Sequence, residues 1–319
     1  MKVFIKNFIK KFHVIFDFLL LPFCFLAALI FKIYRILGVN NLNFNTKLLR
    51  QLGIFPIRNH YYDPQFIHQN VNFNKMKNIK IDLDIANRLI KKFKFSRELE
   101  EMKLEKKKSE FGFTLNNSFF ARGDFEFLYQ FIRLTNPKKI IEIGSGYSSI
   151  IAYEAITKNF QNKKDFCKMV CIDPGNINQL KMLKKIKFYN KKIEKVDINI
   201  FKELNENDLL IIDTSHIIKP SGDVLKIYNE IFPILAKGVN IMIHDIYLPY
   251  EYPKDLINKN VLFWNEQYIL ESLLISEKYK ILLPLYYLMR TNFKNLKKVC
   301  PYLKFRSRPC SFYIKKIIS

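Results

Sequence analysis

The chain has few acids and no cysteine pattern that would specify a framework. Five cysteines, Cys24, Cys167, Cys171, Cys300 and Cys310, are odd in number and form no C-x-x-C pair. They specify neither a zinc site nor a disulfide scaffold, and the reducing cytosol is their natural compartment. Asp and Glu number 29 against 53 Lys and Arg, a formal net charge of +24. Such a field attracts polyanions. Yet Lys, Asn, Ile, Phe and Tyr crowd the whole chain, and runs such as Lys106 to Lys108 and Lys184 to Lys185 read as solvated faces more readily than as phosphate patches. No internal repeat emerges. Disorder is not implied either, because 319 residues, 49% hydrophobic with 30 Phe and 17 Tyr, leave room for one α/β domain with an appendage.

What is present begins at the N-terminus, where Lys2, Lys6, Lys10 and Lys11 precede an apolar stretch from Val14 to Phe31 broken only by Asp17. Phe18 to Phe31 as a helix rises about 21 Å against a hydrocarbon core of about 30 Å. Extension to Leu37 reaches a full span if Lys32 and Arg35 snorkel and Pro22 is tolerated. An interfacial anchor with the lysines on anionic headgroups fits as well, and so does a helix buried on the main domain. No small-residue cleavage pattern follows, which disfavours a signal peptide. These features predict a membrane-associating segment over 1–38 on the cytoplasmic side and an accessory cap over 39–110, closed by a charged helical stretch from Phe95 to Lys108. The main domain is predicted over 111–319.

In that domain β-rich runs alternate with helical segments, the pattern of a doubly wound Rossmann-like α/β sheet of about seven strands. The expected strands are Lys139 to Ile143, Met169 to Ile172, Ile193 to Val196, Asp208 to Ile212 and Val239 to Ile243. A helix is expected over Gly175 to Lys187 and another over Phe263 to Ser276. Tyr279 to Tyr287 and Cys310 to Ile317 complete the sheet as a terminal antiparallel pair.

The chemistry starts at Glu142-Ile143-Gly144-Ser145-Gly146-Tyr147-Ser148-Ser149. Two glycines at a strand-to-helix turn let the backbone approach a ligand, and the following helix N-terminus offers free N–H groups. The third glycine of a dinucleotide fingerprint is missing, with Ser149 in its place. The acid two residues before the first glycine can orient the turn and meet a cationic ligand group. Asp173, ending the second run, can accept two hydrogen bonds from a ribose diol or cap the next helix. Asp197 follows the third run, Asp213 the fourth and Asp245 the fifth. The carboxylates ending the fourth and fifth runs should project over the carboxyl edge of the sheet, where open α/β folds bind ligands.

The E-x-G-x-G-x-S pattern resembles motif I of the class I S-adenosylmethionine (SAM)-dependent methyltransferases. Asp208 to His216, Lys219 to Val224, Ile231 to Val239, Ile243 to Pro253 and Phe263 to Tyr268 together resemble a bacterial Methyltransf_24-type branch, several members of which accompany glycan or cell-surface biosynthesis. The likeness covers roughly Ala121 to Tyr287, and Phe55 to Tyr62 shares it. It implies SAM contacts from Glu142, Gly144, Ser145, Gly146, Tyr147, Ser148, Asp173 and Asp213, with Asp197 at the adenine.

Metal-dependent sugar O-methyltransferases, which the arrangement also resembles, imply Asp213 and Asp245 as ligands of a divalent metal and His216 as general base. Where a second acid would stand after the fifth strand this chain has His244, which suits Mg2+ poorly. A softer metal, two ligands with water, or no metal all remain open. Trp264 to Gln267 can line an acceptor pocket or belong to the core, and Arg122-Gly123-Asp124 can close over the donor. The activity implied is O-methylation of a hydroxyl on a small molecule or glycan precursor. The alternatives are a nucleic-acid methyltransferase, disfavoured because Asp213-Thr214-Ser215-His216 stands here where an Asn-Pro-Pro-Tyr-type motif would follow the fourth strand, and a membrane-associated scaffold that binds SAM without turnover. Oligomeric state is not legible.

Overall fold

The computed structural model describes residues 13–37, 41–52, 54, 78–161, 166–175, 180, 182–259 and 262–318. The N-terminal lysines and Phe55 to Tyr62 lie outside these residues. The chain divides into two compact units, Met1–His68 and Gln69–Ser319.

In the first unit, helix α1 (His13–Leu37) carries Pro22 inside it and α2 spans Asn43–Gln51. α1 has a mean hydropathy of 2.6 over its most apolar 18-residue window and no buried residue in that window, so it is long and apolar enough to cross a membrane.

The second unit opens with α3 (Leu83–Lys91), α4 (Ser96–Glu101) and α5 (Asp124–Thr135). β1 (Lys139–Ile143), α6 (Tyr147–Phe160), β2 (Lys168–Ile172), β3 (Ile186–Tyr189) and β4 (Leu209–Ile212) follow. Next come α7, which runs from Asp223–Lys226 through a π-turn at Ile227–Ile231 into Phe232–Ile234, and β5 (Asn240–Ile243). α8 (Glu266–Ile275), β6 (Tyr279–Pro284), α9 (Leu285–Thr291), α10 (Phe293–Val299) and β7 (Phe312–Lys316) complete the unit. The sheet order is β3-β2-β1-β4-β5-β7-β6. β1 to β5 pair in parallel, and β7 inserts antiparallel between β5 and β6. This is the doubly wound, Rossmann-like sheet with a terminal antiparallel pair that the sequence predicts, and its strand order reverses between β1 and β4.

Strand polarity follows from burial on both faces. Ile140, Leu209, Ile211 and Met242 feed one core, while Ile141, Ile143, Leu210, Ile212, Ile241 and Ile243 feed the other. Lys316 of β7 donates to the carbonyls of Phe232, Pro233 and Leu235 at 3.1, 2.9 and 2.7 Å, capping the end of α7.

Four expectations need correction. The third strand is Ile186–Tyr189, within and just beyond the stretch expected as a helix over Gly175 to Lys187, of which 176–179 and 181 lie outside the described residues. Ile193–Lys195 is instead a 3-10 turn, because Ile193 and Val196, both buried, stand three residues apart on one helical face. β6 stops at Pro284 and Leu285 begins a helix, since proline cannot extend the ladder. The Phe95 to Lys108 helix is cut to six residues, ending where Lys103 takes φ +51.

Candidate active site

Gly144 holds the turn after β1 at φ +84, and a Cβ there would stand 1.6 Å from the carbonyl oxygen of Asp213. Only glycine fits where the ends of β1 and β4 approach so closely. Its N–H donates to Ile172 O (2.9 Å), and Asp213 N–H to Ile143 O (2.9 Å), so the turn is held by strands on both sides.

Glu142 shares a face with the first core, as its parity with Ile140 requires, and is fully buried. Its carboxylate accepts from Ser148 Oγ (2.7 Å), Ser149 Oγ and Cys171 Sγ (3.4 Å). Burial pushes its carboxyl up to about 7, against the pull of those three donors. It therefore acts on the turn and the first residues of α6, and presents no surface to a cationic ligand.

Asp173 Oδ2 accepts from Ser145 N–H (2.9 Å) and Oδ1 from Gly175 N–H (2.6 Å). The carboxylate thus fastens the glycine turn to the loop after β2. A crevice of about 350 Å3 opens here, lined among others by Gly144, Asp173, Ile193, Glu194, Asp213 and Ser215. Its size lies at the lower end of small-ligand clefts, at the point where the strand order reverses. Ser145 and Gly146 stand in the adjoining turn and Tyr147 and Ser148 open α6, and none of the four lines the crevice. Asp197 is a correction: it is exposed, its carboxylate caps the Ile198–Glu203 turn through Asn199 N–H (3.0 Å), and it is absent from the lining. With the third strand at Ile186–Tyr189, Ile193 and Glu194 occupy that side of the crevice.

Asp213 joins this crevice to a second constellation. His216 Nε2 stands 3.3 Å from Asp213 Oδ1 and 3.4 Å from Asp245 Oδ2, and its Nδ1 stands 2.8 Å from Glu266 Oε2. His244 Nδ1 is 3.5 Å from both Asp213 Oδ1 and Asp245 Oδ2, buried and without a hydrogen-bond partner. His216 and Asp245 both adopt left-handed backbone, φ +57 and +56, a cost concentrated where side chains are being aimed.

Burial alone would lower the His216 imidazole, but bonds to Asp213 and Glu266 and the charge of Asp245 push it up to about 10. Burial likewise opposes ionisation of Asp213, and the two imidazoles hold its carboxyl below the usual range. His216 is thus held at Nδ1 by Glu266 and turns Nε2 towards the two carboxylates.

Three further side chains back the two imidazoles, in roles that their motifs do not signal. Glu266, fully buried, also accepts from Tyr228 Oη (3.1 Å). Asp124 Oδ1 accepts from Cys310 N–H, Ser311 N–H and Ser311 Oγ at 3.0, 2.7 and 2.6 Å, and its Oδ2 stands 3.9 Å from His244 Nε2. Cys310 Sγ lies 3.6 Å from His244 Nε2 and donates to Asp245 Oδ1 (3.1 Å). Asp124 therefore ties α5 to β7 behind His244 and does not close over a donor.

The Trp264 to Gln267 cluster clamps the loops of the site. Asn265 N–H donates to His216 O (2.9 Å), Asn265 Oδ1 accepts from Ile218 N–H (2.6 Å), and Gln267 Oε1 accepts from Tyr247 N–H (3.1 Å). The Trp264 ring meets the His216 ring edge-on at 4.9 Å.

No protein-family model matches the chain. An uncharacterized protein of Archaeoglobus fulgidus is 34% identical over 98 residues, 29% of this chain and 42% of that protein, so the match spans about two fifths of that relative's length. Among solved structures, an O-methyltransferase from Bacillus cereus in complex with SAH (S-adenosylhomocysteine) is similar at 10% identity and TM-score 0.38, over 75% of this chain and 92% of that one. TDP-rhamnose 3'-O-methyltransferase of calicheamicin biosynthesis is similar at 13% identity and TM-score 0.38, over 74% and 96%. The plantazolicin methyltransferase in complex with SAH and a triazolic desmethyl analogue is similar at 15% identity and TM-score 0.38, over 74% and 100%.

Proposed function

We propose that the chain is a SAM-dependent O-methyltransferase acting on a hydroxyl of a sugar or other small-molecule or cell-surface glycan precursor. One observation carries the reading: Asp213 lines the crevice beneath the glycine turn and also belongs to the Asp213–His216–Asp245 cluster. A nucleoside in the crevice and a hydroxyl at the cluster would therefore meet across a single side chain, the positioning that in-line methyl transfer requires.

In this reading Asp173 receives the ribose hydroxyls, while Ile193 and Glu194 flank the base. SAM supplies an electrophilic methyl when bound. His216, held at Nδ1 by Glu266 and facing Asp213 and Asp245 with Nε2, takes the acceptor proton at Nε2 from its unprotonated form. The buried, unpartnered Nδ1 of His244 beside two carboxylate oxygens fits a divalent cation held by Asp213, Asp245 and His244, which would acidify a hydroxyl bound there. α1 serves as the membrane anchor or span on the cytoplasmic side.

The test is calorimetric titration of the protein with S-adenosylhomocysteine, followed by labelled methyl transfer to membrane and glycan extracts with and without chelator. Saturable binding and label in a glycan fraction are expected. Absence of binding overturns the reading.

A further inference from the structure

We infer that the basic pocket lined by Lys106, Lys107, Lys108 and Arg122 binds a phosphate or diphosphate group, and that this group belongs to the acceptor whose hydroxyl is methylated. The inference rests on the methyl-transfer reading above and deepens it: the acceptor becomes a phosphorylated small molecule, a sugar phosphate or a nucleoside diphosphate sugar.

Local hydrogen bonds build the pocket. Lys103 takes φ +51 after α4, and its carbonyl accepts from the N–H groups of Lys106 and Lys107 at 2.9 and 3.2 Å, which winds the lysine run into a turn. Leu104, buried under that turn, donates its N–H to Tyr302 Oη (3.0 Å), and the same hydroxyl donates to Leu99 O (3.2 Å). The chain reverses at Ser109, whose Oγ accepts from Phe113 N–H (2.9 Å) and whose N–H donates to Phe113 O (2.9 Å). It returns through Thr114 and Asn116, which line the same pocket. Asn117 fixes this second wall, accepting at Oδ1 from Phe120 N–H (2.7 Å) and donating from Nδ2 to Thr114 O (2.7 Å). The cavity so enclosed is about 460 Å3, within the range of small-ligand clefts.

The charge of the pocket is one-sided. Four cations line it with a single acid, Glu105, and none of the four has an ion-pair partner among the described residues. Arg122 Nε is buried without a hydrogen-bond partner, a donor that costs stability until an acceptor reaches it. Glu126, whose charge this guanidinium feels, spends its oxygens elsewhere, Oε2 on Gly123 N–H (2.9 Å) and Oε1 on Tyr302 N–H (2.7 Å). A planar guanidinium with ammonium groups beside it suits phosphate oxygens. A nucleic-acid backbone would call for an extended basic stripe, whereas here the unmet donor sits in a concavity. The pocket is also close to the reacting groups. Arg122 stands between two residues that meet His244: the Phe120 ring lies 5.2 Å from the imidazole, and Asp124 Oδ2 lies 3.9 Å from its Nε2. Two residues of chain span at most about 7 Å, so a wall of the pocket begins within that reach of the residues packed on His244. Arg122 does not line the crevice assigned to the donor.

The experiment titrates the full-length protein with inorganic pyrophosphate by calorimetry, alone and with UDP-glucose or glucose present, and measures S-adenosylhomocysteine binding in parallel. Expected are one equivalent of pyrophosphate, displaced by UDP-glucose and not by glucose, and suppression by pyrophosphate of labelled methyl transfer to the glycan extract. Arg122→Gln should weaken pyrophosphate by about tenfold or more with S-adenosylhomocysteine affinity retained. Lys107→Gln should weaken it by about threefold, which keeps the test open if Arg122→Gln does not fold. Lys294→Gln, which removes the same charge from an exposed position of α10, should leave it unchanged. No stoichiometric pyrophosphate, or an equal loss in Lys294→Gln, overturns the site. Displacement by a single-stranded oligonucleotide at lower concentration than by UDP-glucose overturns the small-molecule assignment. Pyrophosphate that UDP-glucose does not displace, or that leaves methyl transfer untouched, marks a free-anion site and overturns the assignment to the acceptor. Were the pocket alone to fail, S-adenosylhomocysteine would still bind; pyrophosphate bound through Arg122 without S-adenosylhomocysteine binding would support the pocket and sink the methyl-transfer reading alone.

Discussion

Gly144→Ala should unfold the turn that everything else hangs on, and Gly112→Ala provides its control. Both glycines take positive φ, +84 and +95, but a Cβ at Gly112 meets nothing within 4 Å, whereas at Gly144 it lands 1.6 Å from Asp213 O. Each alanine pays the left-handed penalty of about 1–2 kcal/mol. At Gly144 the clash adds to it. Asp213 cannot retreat without straining its N–H bond to Ile143 O, and residue 144 cannot retreat without straining its bond to Ile172 O. Losing one buried backbone bond costs about 1–3 kcal/mol, for a total of about 3 kcal/mol. In a unit of this size that corresponds to a fall in melting temperature of roughly 6–12 °C. Scanning calorimetry of both variants, with S-adenosylhomocysteine titration of whatever folds, measures it. If Gly144→Ala melts no lower than Gly112→Ala and binds S-adenosylhomocysteine like the parent, the close approach of β1 and β4 ends is not what fixes the site.

Three other outcomes follow from particular side chains. Glu142 has a folded pKa of about 7 against 4.5 for the free group. The folded state therefore holds its proton more tightly, and the associated stability is full below pH 4.5 and lost as pH rises to 7, a swing on the order of 3 kcal/mol. Glu142→Gln should flatten that part of the denaturation profile; an unchanged difference between pH 5 and pH 8 refutes it. Asp173→Ala should weaken S-adenosylhomocysteine by roughly tenfold or more, from charge-assisted hydrogen bonds worth about 1.5–3 kcal/mol, and a change within about twofold in calorimetry removes the ribose assignment. Deleting residues 1–37 should move the protein from pelleted anionic vesicles to the supernatant, and retention on the vesicles locates the membrane contact elsewhere.

The parts of the fold that were legible share a physical origin. β4 and β5 are buried on both faces, so Leu209 to Ile212 and Ile241 to Ile243 read as unbroken apolar runs, and Asp213 and Asp245 stand out just beyond their carboxyl ends. β3 is the edge strand. Its burial is partial, its Ile186-Lys187-Phe188-Tyr189 alternation is short, and the buried Ile193 and Val196 nearby carry the stronger apolar signal although they belong to a 3-10 turn. The site divides in the same way. Two of the five histidines, His216 and His244, could be placed at strand ends by counting. What those histidines can do could not, because it depends on Glu266, Asp124 and Cys310, which lie 50, 120 and 66 residues in sequence from the imidazole that each one meets. Glu266 looked like one member of a polar cluster opening a helix, and nothing in Trp264 to Gln267 signals that the carboxylate turns inward to a buried imidazole. A carboxylate behind an imidazole decides whether that ring is a base or a ligand, and only the folding of α8 against the loop after β4 brings the two together.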